Sequence, residues 1–268
     1  FLDFDRKVSS LYGASQDGDY TPFWIVLDRQ LRVVRRFVLS DADQAIACYA
    51  ALIAEGQVDS WAPVLLVPRV LETDLCRHLI DLYEATGGEE SGFMREVDGK
   101  TVGIVDPVHK RRTDMTIEGE ALRRALMHRI HDRLAPMIER AFQFRATRME
   151  RYIVACYDAA AGGHFRAHRD NTTKGTAHRR FAVSINLNAE EFEGGDLCFP
   201  EFGPRLYRPP TGGAVVFSCS LLHEARPVTR GRRFAFLPFL YDDAAAAIRE
   251  ENNVYLGDNV GAYSRDKG

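Results

Sequence analysis

The first sixty residues show two apolar runs followed by an amphipathic segment. Residues 21–28 and 31–39 are rich in β-branched and aromatic side chains, and the short polar turn between them predicts a β-hairpin. Ser40 and Asp41 offer N-cap side chains for a helix that continues to Ala54. This part of the chain is therefore predicted to contain two strands and then a helix.

The middle of the chain has the periodicity of two helices. Residues 72–85 and 118–142 place apolar side chains three or four positions apart, which predicts one buried stripe on each helix. Residues 87–115, which lie between them, are polar, contain several glycines and end in the basic run 109–112. We expect these residues to form a long loop, and loops of this length in compact domains are often functional.

From Met149 onward the pattern changes to short apolar runs separated by glycine-containing turns. Helices followed by many short strands predict an α+β domain whose strands form a sandwich or jelly roll. The proline-containing segment before the first of these helices places the domain boundary near residue 60, between a segment of residues 1–58 and a domain of residues 59–268. The predicted strands cover residues 151–157, 181–187, 196–199, 205–207, 214–218 and 234–241.

Composition excludes several classes of protein. Of the 268 residues, 46% are hydrophobic and 27% are charged, which argues against disorder, and no apolar run approaches the roughly 18 residues of a membrane helix. The formal net charge of -3 gives no overall attraction for polyanions, so we expect neither nucleic acid nor membrane as a partner. Five cysteines without a CxxC pair favour a reducing cytoplasm. Because the chain starts at Phe1 without a methionine, we expect its natural start to lie upstream.

Candidate chemistry is concentrated in the β-rich half. His168 and Asp170 form an HxD pair, and residues i and i+2 of an extended chain project to the same side, so both can contact one metal ion. His223 follows the apolar run 214–217, and Arg233 begins another apolar run ten residues later. Two histidines and one carboxylate leave open positions on an octahedral metal, as in non-haem Fe(II) oxygenases. The guanidinium of Arg233 is suited to hold the distal carboxylate of a dicarboxylic keto acid.

Five segments of this half carry motifs in a fixed order. They are IVACYDAAAGGHFRAHRDN (153–171), SINLN (184–188), GGDLCFPEF (194–202), GGAVVFSCSLLHEARPV (212–228) and GRRFAFLPFLYDD (231–243). Their order and spacing resemble the 2-oxoglutarate- and Fe(II)-dependent dioxygenases, in particular the prolyl-hydroxylase-like branch, over about residues 60–243. The resemblance implies a double-stranded β-helix, or jelly roll, with supporting helices.

The resemblance also implies roles for individual residues. In that family the HxD pair and the later histidine bind iron, which implies His168, Asp170 and His223 as the Fe(II) ligands. The arginine of the family's GxR element holds the tail of 2-oxoglutarate, which implies Arg233. A tyrosine in the ACY element commonly donates a hydrogen bond to the same carboxylate, which implies Tyr157.

Two more positions bear on the cofactor site. Asn186 lies where the family has a pocket-facing strand residue, so we predict that it contributes to cofactor binding. The family often has a tyrosine three residues before the first iron-binding histidine, whereas this chain has Phe165. The implied cofactors are Fe(II) and 2-oxoglutarate, with ascorbate as a candidate reductant.

The implied activity is hydroxylation of an aliphatic C–H bond in a peptidyl or free prolyl-type residue, with O2 and 2-oxoglutarate as co-substrates and succinate and CO2 as products. Hydroxylation of a small metabolite is equally compatible with the pocket residues. The carboxylate of Asp170 favours hydroxylation over halogenation, because halogenating relatives have a small residue at that position. An alternative of another class is a redox-linked binding or sensor protein without turnover, although the intact set of four site residues argues against it.

Residues 1–58 carry a second, partial resemblance. Pro22 precedes the first of the two predicted strands, and the order of strand, strand and helix resembles the second half of a thioredoxin- or peroxiredoxin-like domain, in which that proline is often cis. The half that carries the redox cysteine in that family is not present in these residues. We therefore expect a structural appendage to the catalytic domain.

Overall fold

The protein is described by a computed structural model that covers residues 3–28, 31–54 and 60–265. These residues divide into two structural units, one up to residue 59 and one from Ser60 onward. The predicted boundary between residues 58 and 59 lies outside the described residues, so the proposed domain limits stay a prediction. In the described ranges no helix combines the length and the apolarity that crossing a membrane requires.

The first unit contains the predicted hairpin and helix. Strands β3 (Phe23–Leu27) and β4 (Val33–Val38) pair in antiparallel orientation. The following helix α2 (Ala42–Ala54) contributes Ala45 to a small core with Val26 and Phe37. Ser40 and Asp41 lie in a 3-10 turn before the helix, where the hydroxyl of Ser40 donates to Asp41. The described residues contain no cis peptide bond, so Pro22 is trans. The elements are α1 (Lys7–Leu11), β1 (Ser15–Gln16), β2 (Asp19–Tyr20), β3 (Phe23–Leu27), β4 (Val33–Val38) and α2 (Ala42–Ala54).

The second unit contains four α-helices and eighteen strands in its described residues. Its helices are α3 (Thr73–Thr86), α4 (Glu120–Arg129), α5 (Ala135–Phe142) and α6 (Asp243–Glu251), and the π-helical segment Ile130–Leu134 joins α4 to α5. Its strands are β5 (Leu65–Val67), β6 (Glu89–Glu90), β7 (Phe93–Val97), β8 (Lys100–Ile104), β9 (Lys110–Arg111), β10 (Thr113–Thr116), β11 (Arg148–Glu150), β12 (Ile153–Asp158), β13 (His164–His168), β14 (Phe181–Asn186), β15 (Glu193–Gly194), β16 (Leu197–Cys198), β17 (Leu206–Tyr207), β18 (Ala214–Ser218), β19 (His223–Ala225), β20 (Val228–Arg230), β21 (Arg232–Phe236) and β22 (Phe239–Tyr241).

Two antiparallel sheets form the jelly roll of this unit. Within the described residues, nine strands form the larger sheet, in the order β11-β22-β14-β21-β12-β10-β6, with β18 beside β14 and β5 beside β18. Five strands form the smaller sheet, in the order β17-β16-β19-β13-β9. Neighbours in space are mostly distant in sequence, as expected when strands cross repeatedly between two sheets.

Along the strands of the larger sheet, successive buried side chains belong alternately to two hydrophobic cores, one on each face of the sheet. On β12, Val154 and Cys156 belong to the cluster that includes the helices α3 to α5, whereas Ala155 and Tyr157 belong to the cluster shared with the smaller sheet. Successive side chains of a strand point to opposite faces, so one face packs against helices and the other faces the smaller sheet. The candidate site residues Tyr157 and Arg233 lie on this inner face.

The prediction of a long loop over residues 87–115 is wrong. These residues contain β6, the hairpin of β7 and β8, and the strands β9 and β10. Strand β9 pairs with β13 of the smaller sheet and β10 pairs with β12 of the larger one. The charged composition masked these strands, because their alternating side chains are Lys, Arg, Thr and Asp rather than apolar residues.

Candidate metal centre and carboxylate anchor

Three side chains meet where β13 and β19 lie side by side. His168 ends β13 and His223 begins β19, and the two residues are direct partners in the antiparallel register. Asp170 follows β13 by two residues, and its backbone N–H donates to the carbonyl of Cys219 at 3.0 Å. The strand pairing and this backbone hydrogen bond therefore bring residues 168, 170 and 223 to one point.

The three side chains have the geometry of a metal site. Oδ1 of Asp170 lies 3.6 Å from Nε2 of His168, and Oδ2 of Asp170 lies 3.4 Å from Nε2 of His223. One ligand atom from each residue lies within 4.8 Å of the others, and no other such group of His, Cys, Asp and Glu occurs in the part of the chain that the structure describes. Two imidazoles and one carboxylate are the donor set of non-haem Fe(II) oxygenases.

Backbone carbonyls fix the orientation of both imidazoles. Nδ1 of His168 lies 2.8 Å from the carbonyl oxygen of Arg166, and Nδ1 of His223 lies 3.0 Å from that of Leu221. A carbonyl oxygen only accepts hydrogen bonds, so each ring carries its proton on Nδ1 and directs the lone pair of Nε2 toward the carboxylate. Both rings are therefore oriented for metal binding by their own strands.

Electrostatics keep two of these donors unprotonated. Burial, reinforced by His168, lowers the pKa of His223 to about 4, so this imidazole is neutral at physiological pH. Burial alone would raise the pKa of Asp170, but His223 and His168 hold it below its usual range. A neutral imidazole and an ionised carboxylate are the forms that bind metals.

Aromatic rings pack around the metal-binding side chains. The ring of Phe165 stacks on His168 with a centroid distance of 3.5 Å, and Phe217 contacts His223 at 4.5 Å. Phe165, which stands where the family often has a tyrosine, thus contributes an apolar face and no hydroxyl. These rings limit the access of water to the donors and hold the imidazoles in one rotamer.

Arg233 lies at the other end of the same cavity, on β21. It is 2% exposed, and its Nη2 donates to the hydroxyl of Ser184 at 2.8 Å while its Nε donates to Oδ1 of Asn186 at 3.3 Å. Its buried Nη1 has no hydrogen-bond partner within the residues that the structure describes. A buried guanidinium with one unsatisfied nitrogen is suited to receive an anion, because a carboxylate would complete its hydrogen bonds.

Tyr157 and Asn186 differ in their relation to this arginine. Tyr157 lines the cavity, its ring centroid lies 5.2 Å from the guanidinium carbon of Arg233, and its hydroxyl accepts from Nη1 of Arg112 at 3.3 Å. The hydroxyl proton of Tyr157 is therefore available to a ligand. Asn186 does not line this cavity; it donates to the carbonyl of Pro209 at 2.9 Å and accepts from Arg233.

Three polar residues of the cavity were missed by sequence reasoning. Ser184, Arg112 and Arg151 line the same cavity as the metal-site residues. Arg112 also pairs with Asp114, with 2.6 Å between Nη2 and Oδ2, and the charges of Arg112 and Arg151 lower the pKa of this buried carboxyl to about 2 although burial opposes them. The spacing of the sequence could have indicated Arg112. Lys110, Arg112 and Asp114 occupy every second position, so an extended segment places all three side chains on one face.

Comparison with known proteins decides the family. A sequence profile described as the 2OG-Fe(II) oxygenase superfamily matches residues 152–241, which include all three metal-site residues and Arg233. Over 184 residues the chain is 30% identical to a PKHD-type hydroxylase of Burkholderia ambifaria, which covers 64% of this chain and 75% of that protein. The chain belongs to the 2OG-Fe(II) oxygenase superfamily. A PKHD-type hydroxylase of Burkholderia thailandensis is also 30% identical over 184 residues.

A solved structure supports the fold of this 2OG-Fe(II) oxygenase. A prolyl hydroxylase from Trichoplax adhaerens, solved in complex with a hypoxia inducible factor peptide fragment, superposes with a TM-score of 0.51 and 17% sequence identity. The superposition covers 69% of this chain and 86% of the other. The predicted jelly roll is thereby confirmed, whereas the thioredoxin-like nature of the first unit stays a prediction.

Membership of the family also decides the class of function. The protein is a dioxygenase with Fe(II) as its metal and with 2-oxoglutarate and O2 as co-substrates, as the sequence motifs predicted. The alternative of a sensor protein without turnover is therefore set aside. The C–H bond that the enzyme attacks depends on which substrate the shape and charge of the cavity admit.

Proposed function

We propose that this oxygenase hydroxylates an aliphatic C–H bond of a peptidyl or free prolyl-type residue while 2-oxoglutarate is converted to succinate and CO2. The chemistry of the proposal is carried by the convergence of His168, Asp170 and His223 opposite the unsatisfied guanidinium nitrogen of Arg233. The prolyl-type substrate is proposed from the similarity to hydroxylases of the PKHD and prolyl types. One cavity is lined by all four residues. A metal-bound keto acid with a distal carboxylate matches both ends of such a cavity.

The donor set fits Fe(II), and we assign His168, Asp170 and His223 as its ligands. Their Nε2 and carboxylate oxygen atoms face one point, and each Nδ1 is already engaged by a carbonyl. When bound, Fe(II) with 2-oxoglutarate supplies the oxidising chemistry that the amino acids themselves lack. The protein holds the donors in place and surrounds them with aromatic rings that exclude water.

We assign Arg233 and Tyr157 as the residues that hold the distal carboxylate of 2-oxoglutarate. Nη1 of Arg233 and the hydroxyl of Tyr157 each have a proton available for this carboxylate. Burial lowers the pKa of Arg233, but a guanidinium keeps its charge throughout the physiological range. Asn186 then serves the cofactor indirectly, by accepting from Nε of Arg233 and so fixing the plane of the guanidinium.

Hydroxylation of a small metabolite is the second candidate within the same chemistry. It is favoured by a cavity next to the metal site whose lining includes five basic side chains and two carboxylates. An internal prolyl residue of a peptide has no charge to match these cations. The catalytic domain would be residues 59–268 in either case, with residues 1–58 as a partial thioredoxin- or peroxiredoxin-like segment.

Anaerobic titration of the protein with Fe(II) and 2-oxoglutarate tests the assignment of the site. We expect a visible charge-transfer absorption band that requires both additions and is lost in His223→Ala. A stoichiometric band in the wild type and an unchanged band in His223→Ala would reassign this ligand. Absence of the band from the wild-type protein would contradict the proposed site altogether.

A further inference from the structure

A second cavity of about 320 Å³ adjoins the metal site. It shares Arg151, Phe165, His168 and Asp170 with the cavity described above, so two of the metal-site side chains face both spaces. Lys110 of β9 also lines it. A substrate of the dioxygenase has to lie beside the metal, and this volume is at the lower end of the range for small-molecule sites.

The walls of this cavity carry an excess of positive charge. Five cationic side chains line it, against the two carboxylates of Glu150 and Asp170. Three of the arginines form ion pairs with carboxylates. Arg179 and Arg249 both pair with Glu150, at 2.7 and 2.6 Å. Arg169 pairs with Glu201 at 2.7 Å. The five cations are Lys110, Arg151, Arg169, Arg179 and Arg249.

Lys110 places a buried amine at this cavity. It is 3% exposed, and its Nζ donates to the hydroxyl of Ser91 at 2.7 Å and to the carbonyl of Gly92 at 2.6 Å. No carboxylate lies within 4.0 Å of this ammonium in residues 3–28, 31–54 and 60–265. Burial, with the added repulsion of Arg112, lowers the pKa of Lys110 to about 5. A buried amine of this kind gives up its proton readily, and an anion that binds beside it favours the protonated ammonium.

Arg151 has a left-handed backbone conformation, and it shares its carboxylate partner with Arg112. Its φ of 68° lies in the left-handed region, which side chains other than glycine adopt at a cost. Its Nη2 lies 3.3 Å from Oδ2 of Asp114, an oxygen that already accepts from Arg112 at 2.6 Å. One carboxylate thus serves two guanidinium groups, and Arg151 keeps donors for a further anion.

We propose that Lys110 and Arg151 bind a carboxylate of the substrate, and that the substrate is a small free carboxylic acid rather than an internal residue of a polypeptide. The inference rests on the proposed function, because it assigns the substrate side of the same metal site. An ammonium and a guanidinium together offer charge-assisted hydrogen bonds to both oxygens of one carboxylate. Free prolyl-type amino acids and other small organic acids satisfy this requirement, whereas an internal peptide residue does not.

Acetate is the probe for this anion site, with acetamide as its neutral counterpart of similar shape. The full chain is loaded with Mn(II) and 2-oxoglutarate, so that Arg233 is occupied, and the relaxation of the probe's methyl protons by the paramagnetic metal is measured. We expect saturable relaxation of acetate and none of acetamide. In Lys110→Met and in Arg151→Gln the apparent dissociation constant for acetate should rise by about tenfold or more.

The exposed residues Lys174 and Arg140 provide matched controls. Lys174→Met and Arg140→Gln remove the same charges and should leave the acetate titration unchanged. Thermal unfolding checks each variant, because Lys110→Met also removes the hydrogen bonds of Nζ to Ser91 and Gly92. The acetate titration is compared between variants that remain folded at the temperature of the measurement. The comparison of acetate with acetamide on the wild type needs no variant, so it holds even if one variant fails to fold.

Two results would overturn the carboxylate subsite. One is relaxation of acetate that is equal in the wild type, Lys110→Met and Arg151→Gln, which would mean that acetate binds the metal or another surface. The other is the absence of saturable relaxation in a wild-type protein whose Mn(II) is bound. If Mn(II) stays free in solution, as its electron paramagnetic resonance signal reports, the proposed metal site fails instead. Acetate-dependent thermal stabilisation of the metal-free protein, compared between wild type and Lys110→Met, then decides the subsite separately.

Discussion

The two ends of the catalytic cavity are built in different ways. At the metal end, the histidine side chains are oriented by carbonyls two residues before them, those of Arg166 and Leu221. At the anchor end, Arg233 is oriented by Ser184 and Asn186, side chains that are 49 and 47 residues away in sequence. The metal end therefore depends on local backbone and strand register, whereas the anchor end depends on a neighbouring strand of the sheet.

This difference predicts that metal binding and 2-oxoglutarate binding can be weakened separately by substitution. Substitutions at the metal end should remove the metal and with it all turnover. Substitutions at the anchor end should weaken 2-oxoglutarate and leave the affinity for metal unchanged. Each of the following variants is chosen to separate these two effects.

The largest effect is expected for Asp170→Ala. The substitution removes the one carboxylate among the three donors, so we expect Fe(II) binding to be lost and succinate release to fall by about 10³-fold or more. The fold should persist, since the side chain of Asp170 is held mainly by the other metal-site residues. Fe(II) titration and succinate release measure the two quantities. Asp81→Ala removes an exposed carboxylate of α3 and is the control, and unchanged activity of Asp170→Ala would reassign the ligand.

Arg233→Ala should have the next largest effect. This effect should be confined to the binding of 2-oxoglutarate. Removal of one partner of a buried charge pair is expected to raise the KM for 2-oxoglutarate by about 100-fold. Fe(II) binding, measured without 2-oxoglutarate, should change by less than about twofold, within ordinary mutational scatter. Arg233→Lys keeps the charge and should recover part of the affinity. An equal loss of Fe(II) and 2-oxoglutarate binding would show that Arg233 supports the fold instead.

Tyr157→Phe tests one neutral hydrogen bond of the anchor. We expect 2-oxoglutarate affinity to fall by about fivefold, which corresponds to the ~1 kcal/mol of a typical hydrogen bond. Arg112 loses its contact with the hydroxyl but keeps its ion pair with Asp114, so stability should change little. Isothermal titration with 2-oxoglutarate measures the affinity. An unchanged affinity would remove Tyr157 from the carboxylate site.

Asn186→Ala should have the smallest effect on 2-oxoglutarate. The variant leaves Nε of Arg233 without its acceptor but keeps the contact of Nη2 with Ser184, so we expect about a threefold loss of affinity. Unfolding by denaturant should show a stability loss of about 1–3 kcal/mol, because the buried carbonyl of Pro209 also loses a donor. A loss of affinity as large as that of Arg233→Ala would mean that Asn186 contacts the ligand itself.

The sequence allowed the metal end of the site to be predicted better than its surroundings. His168 and Asp170 are two residues apart in an extended segment, so spacing alone places both side chains on one side. The meeting with His223 requires the register of β13 with β19, which came from the resemblance to the family and not from periodicity. The predicted elements of the second unit correspond to α3, α4 and α5 and to seven of its eighteen described strands, whose apolar patterns are strong. These seven strands are β12, β14, β16, β17, β18, β21 and β22.

Residues 87–115 show where sequence patterns fail. The strands β9 and β10 are short and charged, so the usual alternation of apolar and polar residues is absent. Lys110 and Arg112 nevertheless alternate on one face, and both are buried. Arg151 gives no signal in the sequence, since its left-handed backbone and its place in the cavity depend on the packed structure. Buried cations next to a metal site are the feature that a pattern of hydrophobicity misses.

We assign His168, Asp170 and His223 as the ligands of one Fe(II) ion opposite Arg233. An anaerobic crystal structure with Fe(II) and 2-oxoglutarate, with anomalous scattering measured at the iron edge, tests it most directly. We expect one iron peak bonded to Nε2 of both histidines and to the carboxylate of Asp170, with the distal carboxylate of 2-oxoglutarate on Arg233. Iron bound by other residues, or an imidazole of His223 turned away from the metal, would contradict it.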